Sequence, residues 1–88
     1  MNQLRRADIV MLAEGMDLFR ATLPGSFSGQ PIRNTGIRER TGCSVVAVEA
    51  DGNTSINPEP DFLLPNRAEV ILIGSQTGEE KLLEMFSN

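Results

Sequence analysis

Residues 36–48 read GIRERTGCSVVAV, and they join a charged helical segment to an apolar strand. Pro31 precedes this stretch and suits the first position of a helix, where the N–H that proline lacks has no partner in any case. Gly42 is typical of the left-handed residue that follows a helix end. Arg38 and Arg40 then fall in the last turn, where the helix dipole favours positive charge. The stretch therefore predicts one or two helical turns that lead directly into a strand.

The strand after Gly42 continues into a predicted hairpin. Its β-branched valines favour the extended backbone of a sheet, and Asp51-Gly52 favours a two-residue turn. A proline-rich loop, PEPDFLLPNR (58–67), follows the hairpin. The apolar residues of this loop are predicted to pack inward: Phe62, Leu63 and Leu64.

The C-terminal part of the sequence predicts a buried strand and a closing helix. AEVILIGS (68–75) is the most apolar strand of the chain. Thr77 and Glu80 match a capping box, in which each side chain satisfies a free backbone N–H at a helix start. Glu79 and Glu80 would repel a phosphate there and suit the helix dipole instead. The helix is predicted to bury Leu82, Leu83 and Phe86.

The N-terminal part divides into a lead-in and the start of the domain. Phe19, Ala21 and Leu23 alternate with polar residues, which predicts a half-buried strand. Neither a helix nor a strand period prevails over the first sixteen residues. The sequence is therefore divided into a lead-in from an upstream region at 1–18 and one domain at 19–88.

Composition excludes several classes of function. The 88 residues carry a net charge of −4 with no basic stripe, which argues against binding a nucleic-acid polymer. Without histidine the chain holds no His-based triad or His metal site. Cys43 is predicted to be a buried, inert thiol, and the carboxylates Glu59 and Asp61 to be solvated. No catalytic residue, metal site or cofactor is predicted, and the single cysteine and absent signal peptide favour the cytoplasm.

Two features leave alternatives open. Arg33, Arg38 and Arg40 present three guanidinium groups that either grip an anion or compensate the helix dipole in solvent. Both predicted inner strands are apolar on both faces, and the second face needs cover. That cover is either a second copy in a homodimer or the lead-in folded back, with Ile9, Val10 and Leu12 facing in.

The ordered motifs resemble the TrkA-C domain, the C-terminal lobe of the RCK modules that regulate potassium channels and transporters. SFSGQPI, IRERTGCSVVAV, INPEPDFLL and VILIG follow one another as in that family, over Phe19 to Phe86. The resemblance implies an α+β domain with a small, mostly antiparallel sheet and short helices. It also implies a non-catalytic regulatory domain that senses a small ligand within a dimeric gating assembly. An upstream pore or RCK N-terminal lobe would be attached, on the cytoplasmic face of the membrane.

The same resemblance implies the ligand-binding residues. In the branch that binds cyclic di-AMP, Ile32 and Arg38 match an apolar contact and a phosphate-binding arginine. Arg33 replaces a second apolar contact and Ser44 replaces a longer amide, which argues against cyclic di-AMP. The ligand class that the resemblance implies is a nucleotide-type or other anionic small molecule. The alternative function is a dimerisation module whose ligand pocket is vestigial.

The family usually places Gly-Asp before its last strand, where this chain has Pro65-Asn66-Arg67-Ala68-Glu69. Asn66 is predicted to take the left-handed conformation of that turn.

Overall fold

A computed structural model describes residues 9–87. Its core element is one antiparallel sheet of five strands in the order β1-β2-β5-β3-β4. The strands are β1 (Ile9–Ala13), β2 (Met16–Thr22), β3 (Ser44–Ala50), β4 (Asn53–Ile56) and β5 (Glu69–Gly74). The helices are α1 (Ile32–Thr35), α2 (Ile37–Thr41) and α3 (Gln76–Phe86), with one 3₁₀ turn at Gly25–Phe27. The α+β class predicted from the sequence is confirmed.

β1 and β2 form a hairpin at one edge of the sheet. Part of the stretch that the sequence placed in a lead-in, residues 9–18, therefore lies in this sheet, while residues 1–8 lie outside the described part. Ile9 packs against the core, but Val10 and Leu12 are exposed. The alternative in which this segment folds back as a second layer is therefore wrong for these residues, because they extend the sheet edgewise.

The predicted hairpin of β3 and β4 is confirmed. Asp51 and Gly52 have φ angles of 53° and 79°, so both central residues of the turn are left-handed. This is the turn geometry whose twist matches that of the flanking strands. A register shift between Val45 and Ala47 marks a bulge in β3 opposite β5.

The core lies on one face of the sheet, which we call the inner face. Phe19 pairs with Leu72 and Ala21 with Val70 across β2 and β5, and all four side chains are buried. Their alternation with exposed or half-buried neighbours follows from the two-residue period of a strand. Buried side chains of the helices and loops complete this core: Ile37, Leu64, Leu82, Met85 and Phe86.

α3 closes the inner face but begins differently from the sequence prediction. Its N-cap is Ser75, whose hydroxyl accepts a hydrogen bond from the Gly78 N–H at 3.1 Å. The capping box of Thr77 and Glu80 is therefore wrong, since the N3 position belongs to Gly78. Leu82 and Phe86 are buried as predicted, and Leu83 is half-buried against the core.

Two predictions in the loop before β5 are also wrong. Leu64 is buried and Phe62 half-buried as predicted, but Leu63 is 63% exposed. The left-handed residue of the following turn is Arg67, with φ of 58°, and not Asn66. Ala68 is fully buried and its carbonyl accepts the Leu23 N–H at 2.9 Å, which fixes the turn one residue later than predicted.

The other face of the sheet, which we call the outer face, is mostly apolar along its middle rows but carries one ion pair. Leu18, Ile73 and Ser44 form one cross-strand row, and Arg20, Ile71, Ala47 and Ile56 form the next. Arg20 is paired with Glu69 at 3.0 Å. Ile71 and Ile73 are half-buried and Ile56 is 80% exposed. The prediction that β5 is apolar on both faces is confirmed.

Candidate functional site

Residues 32–42 fold as two short helices with one repeated local motif. Gly36 ends α1 and Gly42 ends α2, and both are left-handed, with φ of 74° and 77°. Each follows a buried threonine. The Thr35 hydroxyl donates to the Ile32 carbonyl and accepts from the Ile37 N–H, at 2.6 and 3.2 Å.

Thr41 repeats this arrangement at the end of α2. Its hydroxyl donates to the Ile37 carbonyl at 2.6 Å and accepts from the Cys43 N–H at 3.0 Å. Because buried backbone groups are costly to leave unpaired, the two threonines hold α2 at a fixed angle between α1 and β3. This arrangement keeps the exposed side chain of Arg38 and the first residues of β3 next to the same space.

The proline-rich loop after β4 lies against α1 through backbone hydrogen bonds. The N–H groups of Ile32 and Arg33 donate to the carbonyls of Phe62 and Pro60, both at 3.0 Å. Further along the loop, Leu64 exchanges hydrogen bonds with Gln30 and Gly29, at 2.9 and 2.8 Å. These backbone hydrogen bonds therefore hold the loop against the beginning of α1.

A cleft of about 390 Å³ lies between this loop, the two short helices and the beginning of β3. β4 pairs with residues 47–50 of β3, so the cleft opens beside the part of β3 upstream of that pairing. Asn57 closes this end, because its N–H donates to the Val46 carbonyl at 2.7 Å. The cleft is lined by Ile32, Arg33, Ile37, Arg38, Glu39, Cys43, Ser44, Val45, Asn57, Pro58 and Pro60.

All four ligand-binding residues expected from the sequence line this one cleft: Ile32, Arg33, Arg38 and Ser44. The sequence did not indicate Glu39 or the contributions of Pro58 and Pro60. The prolines predict only a loop, and Pro60 reaches the cleft through backbone pairing with α1, which has no local sequence pattern.

The two arginines of the cleft differ in whether they form an ion pair. Arg33 is paired with Asp61 of the loop at 3.1 Å, with both side chains more than half exposed. Arg38 forms no ion pair with any of residues 9–87. Glu39, its neighbour, adds one carboxylate to the lining. An anion entering the cleft therefore meets the guanidinium of Arg38 without first breaking an ion pair.

The floor of the cleft is apolar and does not carry a reactive thiol. Ile37 is buried and Val45 half-buried, whereas the Ser44 side chain is exposed. Cys43 is buried as predicted, and this burial raises the pKa of its thiol. Within residues 9–87, no three acidic, cysteine or histidine side chains come together as a metal site.

The family of the chain follows from comparison with known protein families. The sequence model of the TrkA-C domain matches residues 18–87. The chain belongs to the TrkA-C domain family. A search of the curated proteins gives no match.

Solved structures place this TrkA-C domain among the RCK domains. The GsuK RCK domain is 38% identical with a TM-score of 0.78, covering 84% of this chain and 17% of that one. The chain thus spans about a sixth of that GsuK protein. A GsuK channel bound to NAD is 39% identical, with a TM-score of 0.74 over 83% of this chain and 14% of that chain.

More distant structures share the fold. The RCK C domain of the potassium transport protein KtrA, in complex with cyclic di-AMP, is 22% identical with a TM-score of 0.74; the match covers 83% of this chain and 86% of that one. BusR of S. agalactiae, solved with promoter DNA, is 15% identical with a TM-score of 0.72, over 88% of this chain and 38% of that one. The TrkA-C fold thus also occurs in a DNA-bound protein, and the expectation of no nucleic-acid partner rests on the charge of this chain alone. Of the helices that the structure describes, none is long and apolar enough to cross a membrane.

Proposed function

We propose that this TrkA-C domain is the non-catalytic, ligand-sensing lobe of a potassium channel or potassium uptake protein. The observation that carries the proposal is the single cleft in which Ile32, Arg33, Arg38 and Ser44 come together. The GsuK and KtrA structures hold NAD and cyclic di-AMP, so nucleotides are the ligand class to test first.

The cleft suits a ligand with an anionic group and a flat apolar part. Small-molecule pockets typically enclose about 300–1,000 Å³ and combine apolar walls with a few polar groups. Arg38 supplies a planar fork of donors for a phosphate or carboxylate. Ile32 and Val45 offer apolar contact, and the Ser44 hydroxyl adds a hydrogen-bonding group.

Sensing follows from the two sides of the cleft. A ligand held by Arg38 of α2 and by the Pro58–Pro60 loop would tie α2 to a loop that is itself hydrogen-bonded to α1 and β3. Binding can shift a conformational equilibrium only by its difference in affinity between the two states. In the full-length protein this difference passes to a second copy in a homodimer, and from there to an attached pore on the cytoplasmic side.

The test is ligand-dependent thermal stability of the chain with NAD and with cyclic di-AMP. A ligand that binds the native state raises Tm, and we expect at least one of the two to do so. Arg38→Ala should abolish the shift and leave the Tm without ligand nearly unchanged, because the side chain is exposed. Arg40→Ala is the matched control, since Arg40 lies on the same helix but lines a separate small cavity with Lys81 and Glu84.

The outcomes separate the two candidate functions. A shift that survives in Arg38→Ala would contradict the role of Arg38 as anion anchor. No shift with either nucleotide would favour the dimerisation module with a vestigial pocket.

A further inference from the structure

A buried carboxyl group at the start of α3 is not explained by the cleft. Glu79 lies in the first turn of α3 and is only 6% exposed. Its Oε2 is buried and has no hydrogen-bond partner in the part of the chain that the structure describes. A buried carboxylate without a compensating charge or donor is strongly disfavoured. Burial therefore outweighs the helix dipole, which would favour the charged Glu79 expected from the sequence, and the native structure favours the neutral acid at this position.

The surroundings of Glu79 are acidic. Asp17 of β2 pairs with Gly74, the last residue of β5 before the N-cap of α3, and so lies beside the first turn of that helix. Its carboxyl is near that of Glu79, and Glu80 follows on α3. The Cys43 thiol, on the residue before β3, is the third titratable group near it. Burial, the hydrogen bond that the protonated acid can donate to Asp17, and repulsion from Asp17 and Glu80 together raise the pKa of Glu79 from 4.5 to about 7. None of these groups is basic, so the pair has no counter-charge among them.

We propose that Glu79 and Asp17 share one proton in the folded protein, and that this proton pins the first turn of α3 to β2. The protonated Glu79 carboxyl donates to the Asp17 carboxylate. When the proton leaves to solvent, two carboxylates face each other in a partly dry site. Their repulsion loosens the first turn of α3.

The loosened turn lies directly behind the cleft. Gly78, next to Glu79, packs so closely on the preceding segment that a Cβ there would stand 2.8 Å from the Cys43 sulfur and 2.9 Å from the Thr41 carbonyl oxygen. Cys43 lines the cleft, and Thr41 ends the helix that carries Arg38. Proton loss at the pair therefore reaches the cleft through one layer of contacts. This inference goes beyond the ligand-sensing function and does not depend on which ligand binds.

The direction of the pH dependence follows from the raised pKa of Glu79. In an open or unfolded state the carboxyl ionises near 4.5, and in the native state near 7. Between these values the native state binds more protons, so its stability falls as pH rises. Below about pH 4.5 the stabilisation by the shared proton is complete, and above about pH 7 it is fully lost.

The buried thiol of Cys43 provides a readout of this opening. The rate of labelling by methyl methanethiosulfonate, divided by the rate for the urea-unfolded chain at the same pH, measures protection without the effect of thiol ionisation. From about pH 5 to pH 7 we expect protection to fall more than about tenfold and then to level off, since each pK unit corresponds to a factor of ten. If Cys43 is less protected than global unfolding alone would give, the opening is local. Protection equal to the value for global unfolding at every pH would overturn the local loosening.

Two isosteric variants make the test specific. Glu79→Gln imitates the protonated acid, because its amide still donates to Asp17, and its protection should be nearly independent of pH. Glu80→Gln is the matched control, since that side chain is exposed on the same turn and should keep the profile of the unmodified chain. If Glu79→Gln fails to fold, Asp17→Asn tests the same pair by removing the facing charge, and it should shift the fall in protection to lower pH.

Carboxyl ¹³C NMR gives a direct check. A titration of Glu79 with its midpoint near 7 is expected, and Asp17→Asn should lower that midpoint. A midpoint near the ordinary glutamate value, or a Glu79→Gln profile that follows the unmodified chain, would overturn the shared proton.

Discussion

Arg67 holds a left-handed backbone conformation in the turn that enters β5, with φ of 58°. For a residue with a Cβ this conformation costs roughly 1–2 kcal/mol. Glycine removes that cost but adds about 0.5–1 kcal/mol of conformational entropy to the unfolded chain. We therefore expect Arg67→Gly to stabilise the fold by about 0.5–1 kcal/mol, measured by urea unfolding.

Asn66→Gly is the matched control for this prediction. Asn66 does not have a positive φ, so glycine there only enlarges the unfolded ensemble and should destabilise by about 0.5–1 kcal/mol. If the two variants showed the opposite order, the left-handed residue would be Asn66, as the sequence had suggested. The sequence indicated a turn here but not its register, because asparagine is the better left-handed residue and the burial of Ala68 is a tertiary effect.

At the scale of an element, α3 depends on a glycine in its first turn. Replacing Gly78 by alanine raises helix propensity by about 1 kcal/mol. The new Cβ would stand below 3 Å from the Cys43 sulfur and from the backbone oxygen of Thr41, and such overpacking costs about 1–3 kcal/mol. Because one of the two neighbours is backbone and cannot move aside cheaply, we expect Gly78→Ala to be destabilising, by up to about 2 kcal/mol in urea unfolding.

Gly25→Ala supplies the control, since an added Cβ there meets nothing within 4 Å. That variant should change stability by less than about 0.5 kcal/mol, as is usual for exposed sites. Equal stability of the two variants would mean that α3 moves away from Cys43 at little cost. The packing of Gly78 against Cys43 and Thr41 would then not be tight.

Most of the elements were predictable, because each of these has a local cause. β1 was not, since neither a helix nor a strand period prevails over the first sixteen residues. The hairpin followed from Asp51-Gly52, and the end of α2 from Gly42. The cap of α3 was not predictable, since Ser75 and Thr77 are both suitable residues and the close packing of Gly78 decides between them. In the cleft, Arg38 was indicated by its place in the ordered motifs, whereas Asp61 was read as a solvated loop carboxylate and its pairing with Arg33 depends on the non-local pairing of the loop with α1.

At the scale of the whole molecule, the buried side chains of α2 and α3 lie on the inner face of the sheet, and the outer face presents Ile71, Ile73 and Ile56. Contiguous apolar surface beyond a few hundred Å² is uncommon on a monomer. A second copy related by a twofold axis is the simplest cover, because one patch then meets its own equivalent. We therefore expect sedimentation equilibrium to show a homodimer at high micromolar concentration.

Two exposed apolar residues locate the interface of this dimer. Ile56 lies on the outer face and is 80% exposed, whereas Leu63 lies on the loop and is 63% exposed. Neither side chain supports the core, so serine at either position should leave the fold intact. Ile56→Ser should weaken dimerisation by about tenfold or more, since burial of one such side chain is worth about 1.5–3 kcal/mol. Leu63→Ser should leave it unchanged. Weakening by Leu63→Ser alone would move the interface to the loop beside the cleft, and a monomer at every concentration would contradict the dimer itself.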